Sequence, residues 1–535
     1  MTQTRDAAPP SVFPAGENDL RVRLETDLPP PLPTGRQAGL FCAGCCFHRR
    51  RPIKRLDLLV DGAAQRPTAI RMPRPDIFRA LHPTIQPAAA PSLPCDPDSA
   101  EDPELRCYRS GFWGTVTIPA HPSPRTVELA IAAHLDDGAI ERAPLAALEL
   151  AEPDDPPAYE LPHERLGRPL IAICMATFDP EPELFRIQVD SIRAQTDRDW
   201  ICIVSDDCSR PERLAMVEET LGDDPRFFLF RSEQQRGFYR NFEHLLRLVP
   251  VEAELVALCD HDDRWYPDKL EALRASIGDA QMTFSDQRLV DEEGRVLAGT
   301  FWAGRHNNHT NLTSIMIANT ITGSASMFRP EMLRYALPFP DIPGWQFHDH
   351  WLALVALATG RIAYVDRPLY DYVQHEHAVL GKLIVRPDDP PAAPPGLGLR
   401  SRLRETVIAW RADHFCGYLQ TEVQAQILLA RAEGRLSWRK RLALRRMLRN
   451  ARSPLGLAWL AIRPLRRLIG RNETLGAEAQ LVRGILWRHL TALRSFRRER
   501  PGRSAPDASA PPCGAYSPDL KRLRRWRTPI RLART

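Results

Sequence analysis

Three features that would have defined a class of protein are missing from this 535-residue sequence. No apolar run approaches about 18 residues, so we expect no helix that spans a membrane. Residues 1–20 are acidic and proline-rich and have no apolar centre, so we expect no signal peptide. The 11 cysteines are odd in number and scattered, which favours a reducing cytosol over a disulfide framework.

Lysine is also scarce, since only 5 of the 72 basic residues are lysine, and we attribute this bias to a GC-rich bacterial genome. Proline is abundant: 50 prolines are roughly twice the usual share and predict long irregular segments. Apolar residues make up 43% and charged residues 26%, which is enough for a sizeable core. The length suggests about three structural units.

The net charge of +5 hides a strong asymmetry. Residues 396–535 contain 31 Arg and Lys against 9 Asp and Glu, a net charge of +22, so the rest of the chain carries a net charge of −17. A basic tail on an acidic body indicates a partner with phosphates, either a membrane surface or nucleic acid. The alternative is a solvated helical tail in an arginine-biased protein.

Composition divides the chain around one central domain. We predict a disordered proline-rich N-terminus (1–37), a small β-sandwich (38–150), a linker (151–168), an α/β domain (169–382), a second linker (383–398), basic helices (399–500) and a disordered basic tail (501–535). In the central domain, buried strands such as Pro169–Thr177 and Trp200–Asp207 alternate with helices of about 10–15 residues. This alternation predicts a doubly wound, mostly parallel sheet.

Acidic residues follow three strands of the predicted sheet. The first strand ends in Ala176–Asp179, the second in Ser205–Ser209 and the fourth in Asp260–Asp263. Ligands of open α/β sheets bind beyond such carboxyl ends, and crowded carboxylates raise one another's pKa unless a cation neutralises them. Oxygen ligands favour Mg²⁺ or Mn²⁺. The alternative is a row of Asp caps on helices that begin at Pro211 and Pro267.

Five local motifs then occur in order across residues 168–382. They are G-F-x-x-N-F at Gly237–Phe242, D-x-D-D-x-W-x-P-x-K-L at Asp260–Leu270, an acidic strand and turn at Phe284–Asp286 and Asp291–Gly294, H-D-x-W at His348–Trp351, and Y-x-x-H with V-x-G at Tyr372–Gly381. Their order resembles family 2 glycosyltransferases of the GT-A fold, and most closely the bacterial rhamnosyltransferase-like members. The last motif departs from that pattern because Val373 replaces an arginine, so Arg367 or Lys382 would have to substitute.

The resemblance implies a donor site for a nucleotide sugar. Thr177 and Phe178 would flank the base, and Asp207 would accept a hydrogen bond from it. Arg236 and Asn241 would lie near the sugar or phosphate of the nucleotide.

The resemblance also implies a metal site and a catalytic base. Asp262 would bind the Mn²⁺ or Mg²⁺ that holds the diphosphate, supported by Asp263, with Asp260 and His375 as further candidate ligands. Asp260 would otherwise contact the ribose. Asp349 would deprotonate the acceptor hydroxyl in a single inverting displacement; its alternative role is a carboxylate in the first turn of a helix.

On the acceptor side, the resemblance places Gly323, His348, His350 and Trp351. A glycine at position 323 would let the backbone approach the acceptor, although a glycine at the start of a strand is the plainer interpretation. The two histidines would tune Asp349 or contact the acceptor, unless they are surface residues.

A zinc site at Cys42, Cys45, Cys46 and His48 is a weaker hypothesis, since no second C-x-x-C follows and cysteines packed in a sandwich core explain the run. We therefore predict an inverting, metal-dependent glycosyltransferase that modifies a cell-surface glycan or its lipid-linked precursor, in the cytoplasm and peripheral to the inner membrane face. The alternative is a protein that binds nucleic acid or membrane through its basic tail and carries an inactive glycosyltransferase-like domain.

Overall fold

The computed structural model describes residues 13, 19–86, 95–96, 99–152, 155–159, 170–342, 344, 346–375, 406, 409–450 and 453–497. The chain forms two compact units, one mainly from Met1–Pro153 and one mainly from Asp154–Phe339 and Pro343–Trp487. The predicted linker at 383–398, the predicted tail at 501–535 and Lys382 lie outside the described residues. Among the described helices, none is both long and apolar enough to cross a lipid bilayer.

The first unit consists of two sheets around one core. Its elements are β1 (Leu20–Leu24), β2 (Leu32–Pro33), β3 (Ala38–His48), β4 (Ile53–Val60), β5 (Ala63–Gln65), β6 (Ala69–Met72), α1 (Pro75–Leu81), β7 (Gly111–Ile118), β8 (Arg125–Leu135) and β9 (Ile140–Ala151). One sheet has the order β1-β3-β7-β6 and the other β2-β9-β8-β4-β5. Side chains from both, including Leu40, Phe112 and Ile131, form one buried cluster.

The prediction of disorder over residues 1–37 is wrong for β1 and β2. Apolar residues alternate with arginine in Leu20–Leu24, and this strand pairs antiparallel with β3 and buries Leu20. Two strands therefore precede residue 38. The high proline content around them masked a strand signal of only five residues.

The cysteines of β3 are packing residues. Cys42 and Cys46 lie in the cluster between the two sheets, and Cys45 lies in a separate cluster with Phe78. Burial raises the pKa of Cys42 and of Cys45 to about 12. The side chains alternate between the two faces of the strand, so the three thiols do not converge on one point as zinc ligands must.

The second unit is α/β, as predicted. Its strands are β10 (Leu170–Thr177), β11 (Trp200–Asp206), β12 (Phe227–Arg231), β13 (Ala253–Asp260), β14 (Arg264–Trp265), β15 (Met282–Asp291), β16 (Val296–Ala298), β17 (Ser326–Phe328) and β18 (Ile362–Gln374). Its first helices are α2 (Pro182–Arg193), α3 (Pro211–Leu221), α4 (Phe238–Arg247), α5 (Lys269–Ile277), α6 (Leu312–Ile317), α7 (Leu333–Ala336) and α8 (His348–Thr359). The apolar run of β10 is buried throughout because parallel strands flank it on both sides.

The strand order is β12-β11-β10-β13-β17-β15-β18-β14, with β16 paired to β15. The first four strands are parallel, but β17 pairs antiparallel with both β13 and β15. The long strands β15 and β18 pair parallel again, so the sheet is mostly parallel as predicted, and the prediction misses the reversal at β17. The strand that reverses direction has three residues, too few for a periodic sequence signal.

Residues 409–450 and 453–497 are largely helical, and those up to Trp487 belong to the second unit. A π-helical turn (His414–Leu419) leads into α9 (Gln420–Arg431), followed by α10 (Trp438–Asn450), α11 (Pro454–Ile462), a 3₁₀ turn (Arg463–Ile469) and α12 (Glu478–Arg497). The guanidinium of Arg431 donates to the carbonyl oxygens of Ala336 (3.0 Å) and Pro338 (2.6 Å). These bonds attach α9 to the α/β domain.

Candidate active site

The register of the sheet brings the predicted acidic strand ends together. Thr177 at the end of β10 pairs with Asp206, and Ala176 pairs with Asp260 at the end of β13. The Thr177 hydroxyl donates to Asp206 at 3.1 Å, so its polar group is already engaged. Phe178 is 43% exposed, and its ring remains open to a flat ligand such as a nucleotide base.

Asp207 holds the loop that precedes α4. Its Oδ1 accepts a hydrogen bond from the Arg236 backbone N–H (2.7 Å), and its Oδ2 accepts one from Gly237 N–H (2.8 Å). Gly237 has a φ of +80°, a conformation that glycine adopts at least cost. These bonds fix the backbone of Arg236 next to Asp207 and leave its side chain exposed. Asp207 keeps free lone pairs, so its contact with a base stays a prediction.

Their surroundings shift the pKa values of Asp260 and Asp262 in opposite directions. Burial, followed by the charge of Asp262, raises the pKa of Asp260 to about 6, and Ser324 Oγ donates to its Oδ2 at 2.8 Å. Burial also acts to raise the pKa of Asp262, but His261 and His375 outweigh it and hold this pKa below its usual range. His375 Nε2 donates to Asp262 Oδ2 at 2.7 Å.

Asp263 is the most deeply buried carboxylate of the motif. It is 1% exposed, and burial together with the charges of Asp262 and Asp260 raises its pKa well above its usual value. Its Oδ1 accepts a long hydrogen bond from Val373 N–H (3.4 Å), whereas its Oδ2 is buried without a hydrogen-bond partner among the described residues. The raised pKa favours the protonated form of this carboxyl.

Lys269 supplies an internal cation that the sequence analysis did not assign. The side chain is fully buried, and its ammonium donates to the Ser324 carbonyl oxygen. The Nζ atom lies 3.5 Å from the ring centroid of Trp265 and 4.5 Å from that of Tyr370. Burial lowers the pKa of Lys269 to about 7, opposed by Cys259, Asp263 and Asp260. When protonated, Lys269 therefore offsets part of the negative charge of Asp260 and Asp263.

A divalent cation at Asp262 stays a prediction. Carboxylate oxygens are the ligands that hard cations prefer, but the ligand atoms of Asp260, Asp262 and His375 do not all lie within 4.8 Å of one another. A further group of potential ligands, His82, Asp102 and Cys107, lies in the first unit. There His82 is bonded to Asp102 (3.1 Å) and Asp96 (2.6 Å), and Asp102 accepts the Cys107 N–H, so the group is satisfied as a hydrogen-bond network.

Asp349 is the second residue of α8, at the positive end of that helix. Protein atoms surround the carboxyl, yet it still reaches solvent. Burial raises its pKa to about 7, helped by the charge of Asp260 and opposed by hydrogen bonds from His350, Gly323 and Asn319. A carboxylate whose pKa lies near neutrality has the proton affinity that a general base needs.

Tyr372 lies among the carboxylates. The charges of Asp263, Asp260, Asp262 and Asp349 all raise its pKa, after burial. Geometry links the two groups of carboxylates through neighbouring residues. The Gly323 backbone N–H bonds to Asp349, and the adjacent Ser324 hydroxyl bonds to Asp260 at 2.8 Å.

Three predicted site residues are structural. Asn241 is 1% exposed and exchanges both side-chain hydrogen bonds with Ser205, which ties α4 to β11. His350 is buried, donates to the Ile315 carbonyl oxygen at 2.8 Å and has its pKa lowered to about 4 by burial. Trp351 is fully buried and donates to the Ala336 carbonyl oxygen. Because these polar groups are used within the fold, the roles given to the three residues at the donor or the acceptor stay predictions.

Arg367, proposed from sequence as a replacement for the arginine missing at Val373, pairs with Asp268. That pair is exposed on both sides and does not point to the acidic cluster. His375 remains the basic group of the last motif that contacts the site, and its hydrogen bond with Asp262 raises its pKa.

Gly323 makes room for His348 rather than for an acceptor. A Cβ built on Gly323 would lie 2.6 Å from His348 Nε2. The His348 ring stacks on Phe242 with 3.6 Å between ring centroids, and burial lowers its pKa to about 3. Both ring nitrogens are buried without a partner among the described residues, so a neutral imidazole faces Gly323.

We expect Gly323→Ala to lower the free energy of unfolding by about 1–3 kcal/mol, because the stacked His348 ring has no room to move away from the added methyl group. Chemical denaturation measures this change. Gly299→Ala is the matched control, since a Cβ there has nothing within 4 Å and should leave stability nearly unchanged. Equal stability of the two variants would show that His348 is loosely held.

A known protein family matches the part of the chain that contains the acidic motif. Residues 172–334 match the family model described as Glycosyl transferase family 2. The match includes Asp260, Asp262 and Lys269 and ends before Asp349. It supports a family 2 glycosyltransferase domain in the second unit.

Two curated relatives align over 139 residues, 25% of this chain. An uncharacterized protein of Sinorhizobium fredii is 27% identical over this stretch, and an uncharacterized glycosyltransferase of Methanocaldococcus jannaschii is 26% identical. The alignments span 15% and 46% of these relatives' own lengths.

Two of the solved structures that match this chain hold a nucleotide sugar. S. aureus TarS 1–349 in complex with UDP-GlcNAc is 16% identical, with a TM-score of 0.35, and the likeness covers 62% of this chain and 93% of that one. A mannosyltransferase from Pyrobaculum calidifontis in complex with GDP-Man and Mn²⁺ is 14% identical, with a TM-score of 0.31, and the likeness covers 63% and 91% of the two chains.

Proposed function

We propose that residues 170–375 transfer a sugar from a nucleoside-diphosphate donor to an acceptor hydroxyl, with inversion at the anomeric carbon. The observation that carries the proposal is the position of Asp349: Gly323 bonds to its carboxylate, and the next residue, Ser324, bonds to Asp260 of the acidic motif. The family match of residues 172–334 supports the class of reaction.

Asp349 and the Asp260–Asp263 segment have different roles in the proposed reaction. Asp349 takes the proton of the acceptor hydroxyl as its oxygen forms a bond to the anomeric carbon from the face opposite the leaving group. The bond from that carbon to the diphosphate oxygen breaks, and its electron pair leaves with the nucleoside diphosphate. Positioning the hydroxyl against a ready base is worth about 10²–10⁴-fold in rate.

Charge accumulates on the departing diphosphate, and the site must balance it. Asp262, with Asp260 and His375 beside it, would hold a Mn²⁺ or Mg²⁺ ion, which supplies electrostatic stabilisation of the diphosphate when bound. Arg236, next to Asp207, adds an exposed guanidinium. Phe178 offers an exposed ring to the base.

The raised pKa of Asp349 gives the proposal a pH signature. The active form is the ionised carboxylate, so kcat/KM should rise about tenfold per pH unit below pH 7 and level off above it. The residual activity of Asp349→Asn should lack this step. A wild-type profile that is flat from pH 5 to 8 would contradict a base with this proton affinity.

A panel of uridine, guanosine and thymidine diphosphate sugars, each with and without Mn²⁺, tests the reaction class. We expect one donor to bind and to be slowly hydrolysed in a metal-dependent way. dTDP-rhamnose is our first choice, because the motif order resembles rhamnosyltransferase-like members, and a cell-surface glycan or its lipid-linked precursor is the acceptor we propose. Failure of every donor to bind would favour an inactive domain that serves a binding role.

A further inference from the structure

One stretch of the second unit carries charge of a single sign. Residues 434–472 contain 12 Arg and Lys and no Asp or Glu. The stretch builds α10, α11 and the 3₁₀ turn Arg463–Ile469. The proposed sugar transfer uses none of it.

The same stretch exposes large apolar side chains. Five of them follow one another along α11 and the 3₁₀ turn: Leu455 (83% exposed), Ile462 (59%), Leu465 (62%), Leu468 (83%) and Ile469 (73%). Ile462, Leu465 and Leu468 are spaced by three residues, which puts them on one side of a 3₁₀ turn. We call these five residues the apolar ridge. Soluble proteins rarely expose such a continuous set without a partner.

Cation–π contacts and ion pairs connect α11 and the 3₁₀ turn to neighbouring elements. Trp459 of α11 lies between two guanidinium groups, those of Arg446 (4.0 Å to the ring centroid) and Arg463 (5.4 Å). Arg463 pairs with Glu478 at 3.0 Å, and Arg466 pairs with Glu473 at 2.8 Å. The apolar ridge therefore lies on segments that are tied to the rest of the chain by these contacts.

Other basic residues stay on the surface. Arg445 and Arg449 of α10 and Arg467 of the 3₁₀ turn are exposed. In contrast, Leu444 and Met447 of α10 are buried against the unit. The leucines of α10 thus anchor the helix, while arginines cover its outer side.

We propose that the apolar ridge and the surrounding arginines dock the enzyme onto an anionic lipid bilayer. Charge decides the occupant. Residues 498–535 of the same chain carry 10 basic and 3 acidic residues, so that segment repels this surface, and a second copy would oppose two surfaces of equal sign. An anionic bilayer offers both phosphates for the arginines and an apolar interior for the ridge.

Vesicle flotation with the full-length protein tests the proposal. Vesicles of phosphatidylcholine alone are compared with vesicles that also contain phosphatidylglycerol, each at low and high salt. We expect wild type to bind the anionic vesicles at least about tenfold more strongly and to detach at high salt. Ile462→Ser/Leu465→Ser/Leu468→Ser should lower binding to anionic vesicles at least about tenfold.

Two further variants separate charge from apolar contact. Arg445→Gln/Arg449→Gln/Arg467→Gln should abolish the preference for anionic vesicles. Val251→Ser is the matched control, because Val251 is 79% exposed and lies in the turn before β13, so this variant should bind like wild type. Thermal unfolding reports that each variant is folded, so the vesicle test does not depend on the proposed function.

The proposal is overturned if wild type binds neither kind of vesicle, or binds both equally at every salt concentration. It is also overturned if light scattering shows a dimer that the ridge variant abolishes, since the ridge would then be an interface between copies. If the ridge variant fails to fold, the arginine variant and the salt dependence of wild type still decide the question.

Discussion

Asp349→Asn is expected to lower the rate of sugar transfer by about 10²–10⁴-fold while the donor binds with nearly unchanged affinity. The amide keeps the size of the side chain and can still accept the hydrogen bonds from the start of α8. It cannot take a proton from the acceptor hydroxyl, so the loss should fall on kcat. Steady-state kinetics with the donor identified in the panel, together with calorimetric donor binding, measure both quantities.

Asp223→Asn serves as the matched control for this change. Asp223 is an exposed residue in the turn after α3, and its loss should leave both rate and affinity as in wild type. A variant at position 349 that loses donor binding, or that unfolds at lower denaturant than the control, would identify Asp349 as a helix-start carboxylate with a structural task.

Asp262→Asn is expected to weaken donor binding by at least about 100-fold, because a neutral amide is a poorer ligand for a hard cation than a carboxylate and the metal contributes several kcal/mol. The effect has a second signature. A chelator should weaken donor binding to wild type by a similar factor and should leave binding to the variant almost unchanged. Titration calorimetry with and without Mn²⁺ measures this difference.

Glu254→Gln is the control for that experiment, since Glu254 is exposed on the same strand, β13, away from its carboxyl end. Its donor affinity should depend on Mn²⁺ as in wild type. Equal donor affinity of wild type with and without chelator would remove the metal from the account and leave Lys269 and His375 to balance the charge of the site.

The sequence identified the parts of the fold that have a repeated pattern. The strands β10, β11 and β13 were predicted because their apolar runs are long and end in polar residues, and the sheet brings those ends together as expected. The strand β17 was missed because three residues give no period. Short elements whose partners are distant in sequence leave little local signal.

Within the site, the residue types were easier to predict than their environments. Asp349 and Asp260 are joined through the adjacent residues Gly323 and Ser324, but His350 and Trp351, from the same H-D-x-W motif as Asp349, are buried in the core. In α8, residues 349, 350 and 351 point in different directions, so at most one or two of them can face the site. A sequence motif locates a turn of a helix, but it does not show which of its side chains face the site. That depends on how the helix packs.

Lys269 has a place in the site that its sequence does not predict. A lysine in an acidic motif looks like a surface residue, since lysine is almost never fully buried unless it is paired. Its partners are two aromatic rings and a carbonyl oxygen, which lie 4, 101 and 55 residues away in the sequence, at Trp265, Tyr370 and Ser324. No local pattern announces such a contact.

The anomeric configuration of the first sugar product tests the central claim most directly. The account holds that Asp349 deprotonates the acceptor for a single displacement, so ¹H NMR of the fresh product should show the anomer opposite to that of the donor. A product that retains the donor's configuration would require a second displacement or a front-face attack, and would contradict the role given to Asp349.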